Sequence, residues 1–423
     1  MNGAEPGPPG GPRVPMVVLS CLVVGLGVAA VYLLWSGSAR PRATVSGIVP
    51  MLTAGRFDDA EARLREILRA DPDHIEANML MAQAALVRPD PKPELALRHL
   101  PRVRTSRRDA RAVVRLYEGK ARAELGRNDL AEALWLEALR IDPAVPEAGW
   151  NLLGLYQVQG RREDAHRLAM ELFRREPDPR DRVQLLMELL RQDAQPIGTD
   201  SLIQTLEPIV AAHPEDPQAA IALARAYLKN SRPGDGLPLL GRVLDRSPDN
   251  PYAWDTLLAG LDDTASAEEF ARCLARIPPA IAGDPRFLKH RGSAALKGRD
   301  WPLAVDWLRR ANASDPSDGQ VLYRLCQALK VARRSEELGP MEERFRAFRD
   351  ARERVQPLYK EANAVPDLGV APHPELCRRL ADLREDLGRA DEAEAWRRFA
   401  AEGRPSPAPA GSDADRRGIG MVR

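Results

Sequence analysis

The sequence predicts an all-α fold: antiparallel helix pairs stacked into a solenoid, preceded by one transmembrane helix. Two observations carry the solenoid. A pattern of small and apolar residues recurs every 34 positions, and strand-like period-two alternation is nearly absent beyond the N-terminus. A third, an uncharged apolar run near the start, carries the membrane helix.

Composition agrees. Of 423 residues 44% are hydrophobic, enough to bury a large core, yet only 5% are aromatic. Ala, Leu, Arg and Glu, all strong helix formers, dominate the middle of the chain. Lys and Arg number 62 against 61 Asp and Glu, a net charge of +1, whereas a nucleic-acid binder usually shows a clear basic excess. Four cysteines, at 21, 273, 326 and 377, form no CxxC and no zinc spacing. The three beyond the apolar run read as small buried residues, not as a disulfide framework.

The apolar run extends from Val14 to Trp35. At about 1.5 Å per residue it makes a helix of roughly 33 Å, a match to a hydrocarbon core of about 30 Å. Tyr32 and Trp35 fall at its end, where aromatic rings favour the interface. The expected organisation is a disordered tail at 1–13, a transmembrane helix at 14–36 and a linker at 37–44. A cleaved signal peptide wants a shorter apolar region of about 7–15 residues, although Gly37-Ser38-Ala39 leaves cleavage after Ala39 open. A lipid-modified Cys21 is disfavoured, because most of the apolar run follows it. Arg13 precedes the span while Arg40 and Arg42 follow it, a balance that tends to resist export. The habit of short N-terminal anchors nevertheless points to an extracytoplasmic repeat domain.

The ladder is clearest from Gly126. Ala131 lies five residues on, Trp135 nine, Ala138 twelve and Pro143 seventeen. The same steps from Gly160 give Ala165, Ala169, Leu172 and Pro177; from Gly55, Ala60, Leu64, Ile67 and Pro72; from Gly388, Ala393, Arg397, Ala400 and Pro405. Degenerate copies run through Leu202, Leu206, Ile209 and Pro214, through Gly236, Leu240, Val243 and Pro248, and through Ala304, Leu308, Ala311 and Pro316. Each step has a physical sense. Glycine ends a first helix and turns the chain at φ > 0, a region it enters cheaply. The Ala five on lets the second helix approach closely, and the positions nine and twelve on share one face of it. Proline, often in Asp-Pro, stops the second helix. A lone pair of this kind cannot bury its apolar face, so stacking is obligatory.

This ladder resembles the tetratricopeptide repeat over about residues 45–403, in roughly ten units. First-helix pieces are present too, in Gly119 seven before Gly126, in Leu223-Ala224 with Tyr227, and in Trp254 with Leu257-Leu258. Trp150 and Gly154 sit one residue out of phase. The period breaks most at 335–372, where Glu342–Tyr359 reads as a longer helix with a basic face and 364–374 as a loop. The tail 404–423 reads as disordered. The resemblance implies a right-handed superhelix, and a protein or peptide partner held on the concave face of the first helices. Mapped residue by residue, that face is Lys120, Arg225, Lys229, Lys289, Ser293, Tyr323 and Gln327. Ser293 stands where the family's best-known peptide clamp has Asn, which speaks against recognition of that one tail.

No chemistry emerges beside this. Six histidines, at 74, 99, 166, 213, 290 and 373, pair with neither each other nor a cysteine at ligand spacing, and HExxH, GxSxG and P-loop motifs are absent. The expectation is a non-enzymatic, membrane-tethered scaffold with no cofactor, no metal, no nucleic acid and no small-molecule substrate. The alternatives are an accessory subunit of a separate membrane enzyme and an enzyme hidden in 335–372. One basic patch stands out: Arg102, Arg104, Arg107, Arg108, Arg111 and Arg115. It reads either as a solvated, salt-bridged surface or as a dock for an acidic partner or anionic headgroups.

Overall fold

A computed structural model describes residues 45–262, 264–365 and 373–401. The predicted span, both tails and most of the predicted loop lie outside these residues. Among the described residues no strand occurs, and no helix is long and apolar enough to cross a membrane.

The chain divides into two compact units that meet at Ala148 and Gly149. The first holds α1 (Ile48–Thr53), α2 (Phe57–Ala70), α3 (Ile75–Val87), α4 (Pro93–His99), a 3-10 turn (Leu100–Arg102), α5 (Arg108–Glu124) and α6 (Asn128–Ile141). The helix α7 (Pro146–Gln159) straddles the boundary. The second unit continues with α8 (Arg162–Arg175), α9 (Pro179–Ala194), α10 (Thr199–Ala212), α11 (Pro217–Lys229), α12 (Pro233–Arg246) and α13 (Pro251–Asp262). It ends with α14 (Ala267–Ala275), α15 (Phe287–Lys297), α16 (Trp301–Ser314), α17 (Gly319–Val331), α18 (Ser335–Asn363), α19 (Pro374–Asp386) and α20 (Ala390–Ala401). Odd-numbered helices are the first of each pair and even-numbered ones the second.

The ladder positions do what their chemistry demands. Gly55, Gly126, Gly160 and Gly388 turn their pairs at φ of 72, 75, 66 and 75°. In three degenerate pairs the same left-handed turn falls on Ser231, Arg299 and Arg333, at φ of 55, 59 and 57°. The turn geometry is therefore kept where glycine is not, against the Cβ strain such residues carry. Ala60, Ala131, Ala165, Ala304 and Ala393 are completely buried. Asp71, Asp142 and Asp315, each before a proline, take extended backbone and return their N–H to the carbonyl four residues back. Gly119 lies under Trp135, whose indole nitrogen donates to the Leu116 carbonyl at 3.2 Å, so a Cβ at 119 would strike that ring. Cys273, Cys326 and Cys377 are buried and unbridged.

The break at 335–372 has a simple origin. Where other pairs have a second helix of 14 residues or fewer, α18 continues for 29 and packs against α9 as well as α17. Its helical span is longer at both ends than Glu342–Tyr359.

Candidate interaction surface

Equivalent positions on successive first helices are joined by polar side chains about one repeat apart. In the first unit Gln83 of α3 donates to the Tyr117 hydroxyl of α5 at 3.1 Å. In the second, Arg225 of α11 donates to Thr256 of α13 at 3.1 Å. Asp255 of α13 receives Lys289 and His290 of α15, each at 2.9 Å. Asp262 of α13 meets Ser293 of α15 at 3.2 Å and Arg324 of α17 at 2.5 Å.

The turn between α7 and α8 crosses to this ladder. Arg225 donates to the carbonyls of Gln159 and Gly160 at 2.8 and 3.0 Å, satisfying a helix end that has no partner of its own. The Tyr252 hydroxyl donates to Asp164 at 2.5 Å, and the Arg161 guanidinium lies over both the Tyr156 and Tyr252 rings. Burial pulls the Arg225 guanidinium below its ordinary range, while the Asp255 charge opposes the shift.

The last helix pair docks onto the same region. Arg384 of α19 is fully buried and binds Asp193 of α9 at 2.6 Å and Glu392 of α20 at 2.8 Å. Arg389 pairs with Glu163 at 2.9 Å, and Arg162 with Asp193 at 3.2 Å. His166 of α8 lies 3.0 Å from Asp391 and 2.8 Å from Glu392. Five pairs lie between those of α8 and α20, so the second unit is fastened to itself across its repeats.

The seven residues mapped to the concave face therefore fare differently. Arg225, Lys289 and Ser293 are spent on bonds inside the chain, and Lys120 pairs with Glu147 at 3.3 Å over the Tyr117 ring. Tyr323 and Gln327 on α17 remain exposed, bonded to each other at 2.7 Å, with the Tyr323 ring 5.5 Å from Phe345. Lys229 is exposed at the end of α11. In the basic patch, Arg107 pairs with Asp109 at 2.6 Å, and Arg115 with Glu118 and Glu137 at 2.6 and 3.2 Å. Arg108 donates to the Ile141 carbonyl at the end of α6. Arg102, Arg104 and Arg111 are exposed.

Sequence reasoning missed Asp255, Asp262, His290, Arg324, Arg384 and Glu392. The first four could have been found as polar residues on first helices about one repeat apart. Among the described residues no group of His, Cys, Asp and Glu is arranged to hold a metal ion.

The tetratricopeptide-repeat family model matches residues 52–97 and 203–254, one segment in each unit. These two segments are tetratricopeptide repeats. Solved structures that match loosely include a chain of the APC/C hetero-tetramer Cut9–Hcn1, 13% identical, covering 92% of this chain and 76% of that one at a TM-score of 0.33. The human IFIT1 dimer with m7Gppp-AAAA is 11% identical, with coverages of 90% and 94% and a TM-score of 0.33. A Rap protein complexed with Competence and Sporulation Factor is 11% identical, with coverages of 79% and 99% and a TM-score of 0.34. Superpositions this loose carry no argument about function. No curated protein matches the sequence.

The repeat-to-repeat fastening has a pH signature. Burial opposes the charge on His166, but the hydrogen bonds it donates to Asp391 and Glu392 and the Glu392 charge outweigh it, against Arg389, and raise its pKa to about 9. The folded value lies above the unfolded one of about 6.5, so this stabilisation is complete below pH 6.5 and lost as pH rises towards about 9. Asp391 has the opposite sign. Burial raises it, but the His166 hydrogen bond and charge outweigh burial and lower it, so its contribution disappears in acid. Urea midpoints of the wild type should fall between pH 6.5 and 9, and His166→Gln should flatten that limb. Parallel curves for the two proteins would refute the assignment.

Proposed function

We propose that this protein is a membrane-tethered repeat scaffold that holds a protein partner and catalyses no reaction itself. The observation that carries the scaffold reading is the run of stacked helix pairs, matched to the tetratricopeptide repeat in both units. The tether is the segment 14–36, read as an uncleaved helix, with the repeats on the extracytoplasmic side. Within the second unit the partner's footprint is the exposed face of α17 around Tyr323, Gln327 and Val331, with Phe345 of α18 beside it. Exposed aromatic and apolar groups next to polar ones are the composition of binding hot spots, and the ladder residues are already occupied by bonds within the chain.

Two measurements test this. Affinity purification from detergent-solubilised membranes should recover a partner with the wild type and lose it with Tyr323→Ala/Val331→Asp; identical recovery would refute the footprint. Alkaline phosphatase, active only after export, should be active when fused behind Arg404. An inactive phosphatase with an active cytoplasmic reporter would reverse the orientation, and a product shortened by the segment up to Ala39 would mean release from the membrane.

A further inference from the structure

We propose that the hollow between α2 and α4 is a binding site for a phosphate-type dianion, gripped by Arg98 and Arg102. The hollow has a volume of about 640 Å³ and lies wholly within the first unit. Its wall carries four cations, Arg65, Lys92, Arg98 and Arg102, against two carboxylates, Glu61 and Glu94.

One of those carboxylates is already neutralised. Glu61 is buried and is met by Lys92 at 3.0 Å, by Arg88 at 3.3 Å and by Arg65. Arg88 is shared with Asp58 at 3.2 Å, so these three cations face two carboxylates and leave a surplus of one, to which Arg98 and Arg102 add from the rim. Both are exposed, and among the described residues neither side chain makes a hydrogen bond or ion pair within the chain. By contrast, Arg56 just before α2 pairs with Asp59 at 2.8 Å, and Arg63 of α2 with Glu66 at 2.9 Å. Two open guanidinium forks beside a hollow with a net charge of two suit a dianion with oxygens on several sides, because each fork can bind two of them.

The remaining polar wall residue, His99, has a defined tautomer. The Asn78 amide nitrogen donates to the carbonyls of Pro72 and His74 at 2.9 and 3.0 Å, so its oxygen is the acceptor facing His99 Nδ1 at 2.8 Å. His99 Nδ1 is then the donor, and the neutral ring leaves Nε2 without a proton. Burial, then Arg102 and Arg98, hold the ring below its ordinary pKa, opposed by Glu61. Arg65, Lys92 and Glu94 complete the charged groups on the hollow. A dianion between the arginines cancels their field at the ring and supplies an acceptor for an Nε2 proton. Binding therefore takes up a proton at His99.

Phosphate of this kind is available free or as a phospholipid headgroup, and the same protein distinguishes the two. Inorganic phosphate is titrated into the full chain by calorimetry in two buffers of different ionisation enthalpy. In parallel, the chain is floated with phosphatidylcholine vesicles with and without phosphatidic acid, so that an inserted anchor contributes equally to both. Phosphate binding assigns a free ligand, and an increment only with phosphatidic acid assigns the headgroup; either supports the site. In both arms Arg98→Ala/Arg102→Ala should weaken binding by about tenfold or more, the loss expected when charge-assisted contacts are removed. Lys330→Ala, an exposed change in the other unit, should leave it unaltered. His99→Gln should retain binding but change the difference between buffers by the proton that His99 takes up. Binding in neither arm, or binding that the arginine double variant leaves intact, overturns the proposal.

Discussion

Arg384→Ala is expected to lower the stability of the second unit by about 3–5 kcal/mol, the cost of removing one partner from a buried ion network. The Arg384 side chain has no exposed surface, and its two carboxylate partners, Asp193 and Glu392, come from different helices. Truncation strands Glu392, itself nearly inaccessible, without its principal cation. Arg378→Ala on the same helix should cost no more than about 1 kcal/mol, because its pair with Glu375 is mostly exposed. Urea unfolding followed by circular dichroism distinguishes the two. Equal midpoints would mean that α19 is not held by this network.

Asp255→Ala is expected to cost about 3 kcal/mol, for a related reason. Burial alone would raise its carboxyl, but the His290 hydrogen bond and the Lys289 charge outweigh burial and hold it well below the usual carboxylate range. Without it, the buried His290 imidazole loses its only hydrogen-bond partner among the described residues, and the Lys289 ammonium loses its counter-charge. Tyr323→Ala, on the same face two pairs later, should cost under about 0.5 kcal/mol, because the residue is already 48% exposed to solvent. The contrast separates positions that join repeats from positions left for a partner. A large loss at Tyr323 and none at Asp255 would reverse that division.

The helix pairs were legible in the sequence because their determinants are local. A turn glycine, an alanine five residues on and an Asp-Pro stop act within one hairpin, and each fixes a backbone or packing state on its own. The degenerate pairs were fainter because Ser231, Arg299 and Arg333 hold the same turn without the residue that advertises it. The long α18 disturbed the period by adding helix where a hairpin should have turned back. The candidate groove was legible only in phase. Arg225, Lys289 and Ser293 do project from first helices, but the 34-residue spacing says nothing about which residues on a neighbouring helix will bind them. Still less could it show Arg384 meeting Asp193, since those positions are 191 apart and joined only through the accumulated rotation of every intervening pair.

That long-range fastening is the central structural claim, and cross-linking tests it directly. Glu163 and Arg389 are 226 positions apart and form an ion pair at 2.9 Å. Cysteines placed at both positions should be joined within one molecule by a short bismaleimide at neutral pH, and the joining should drop when Arg384→Ala is added. The variants with one introduced cysteine supply the background from Cys21 and the three buried thiols. A cross-linked yield no higher than that background, in a protein with native helical content, would contradict the docking of α19 and α20 onto α8 and α9.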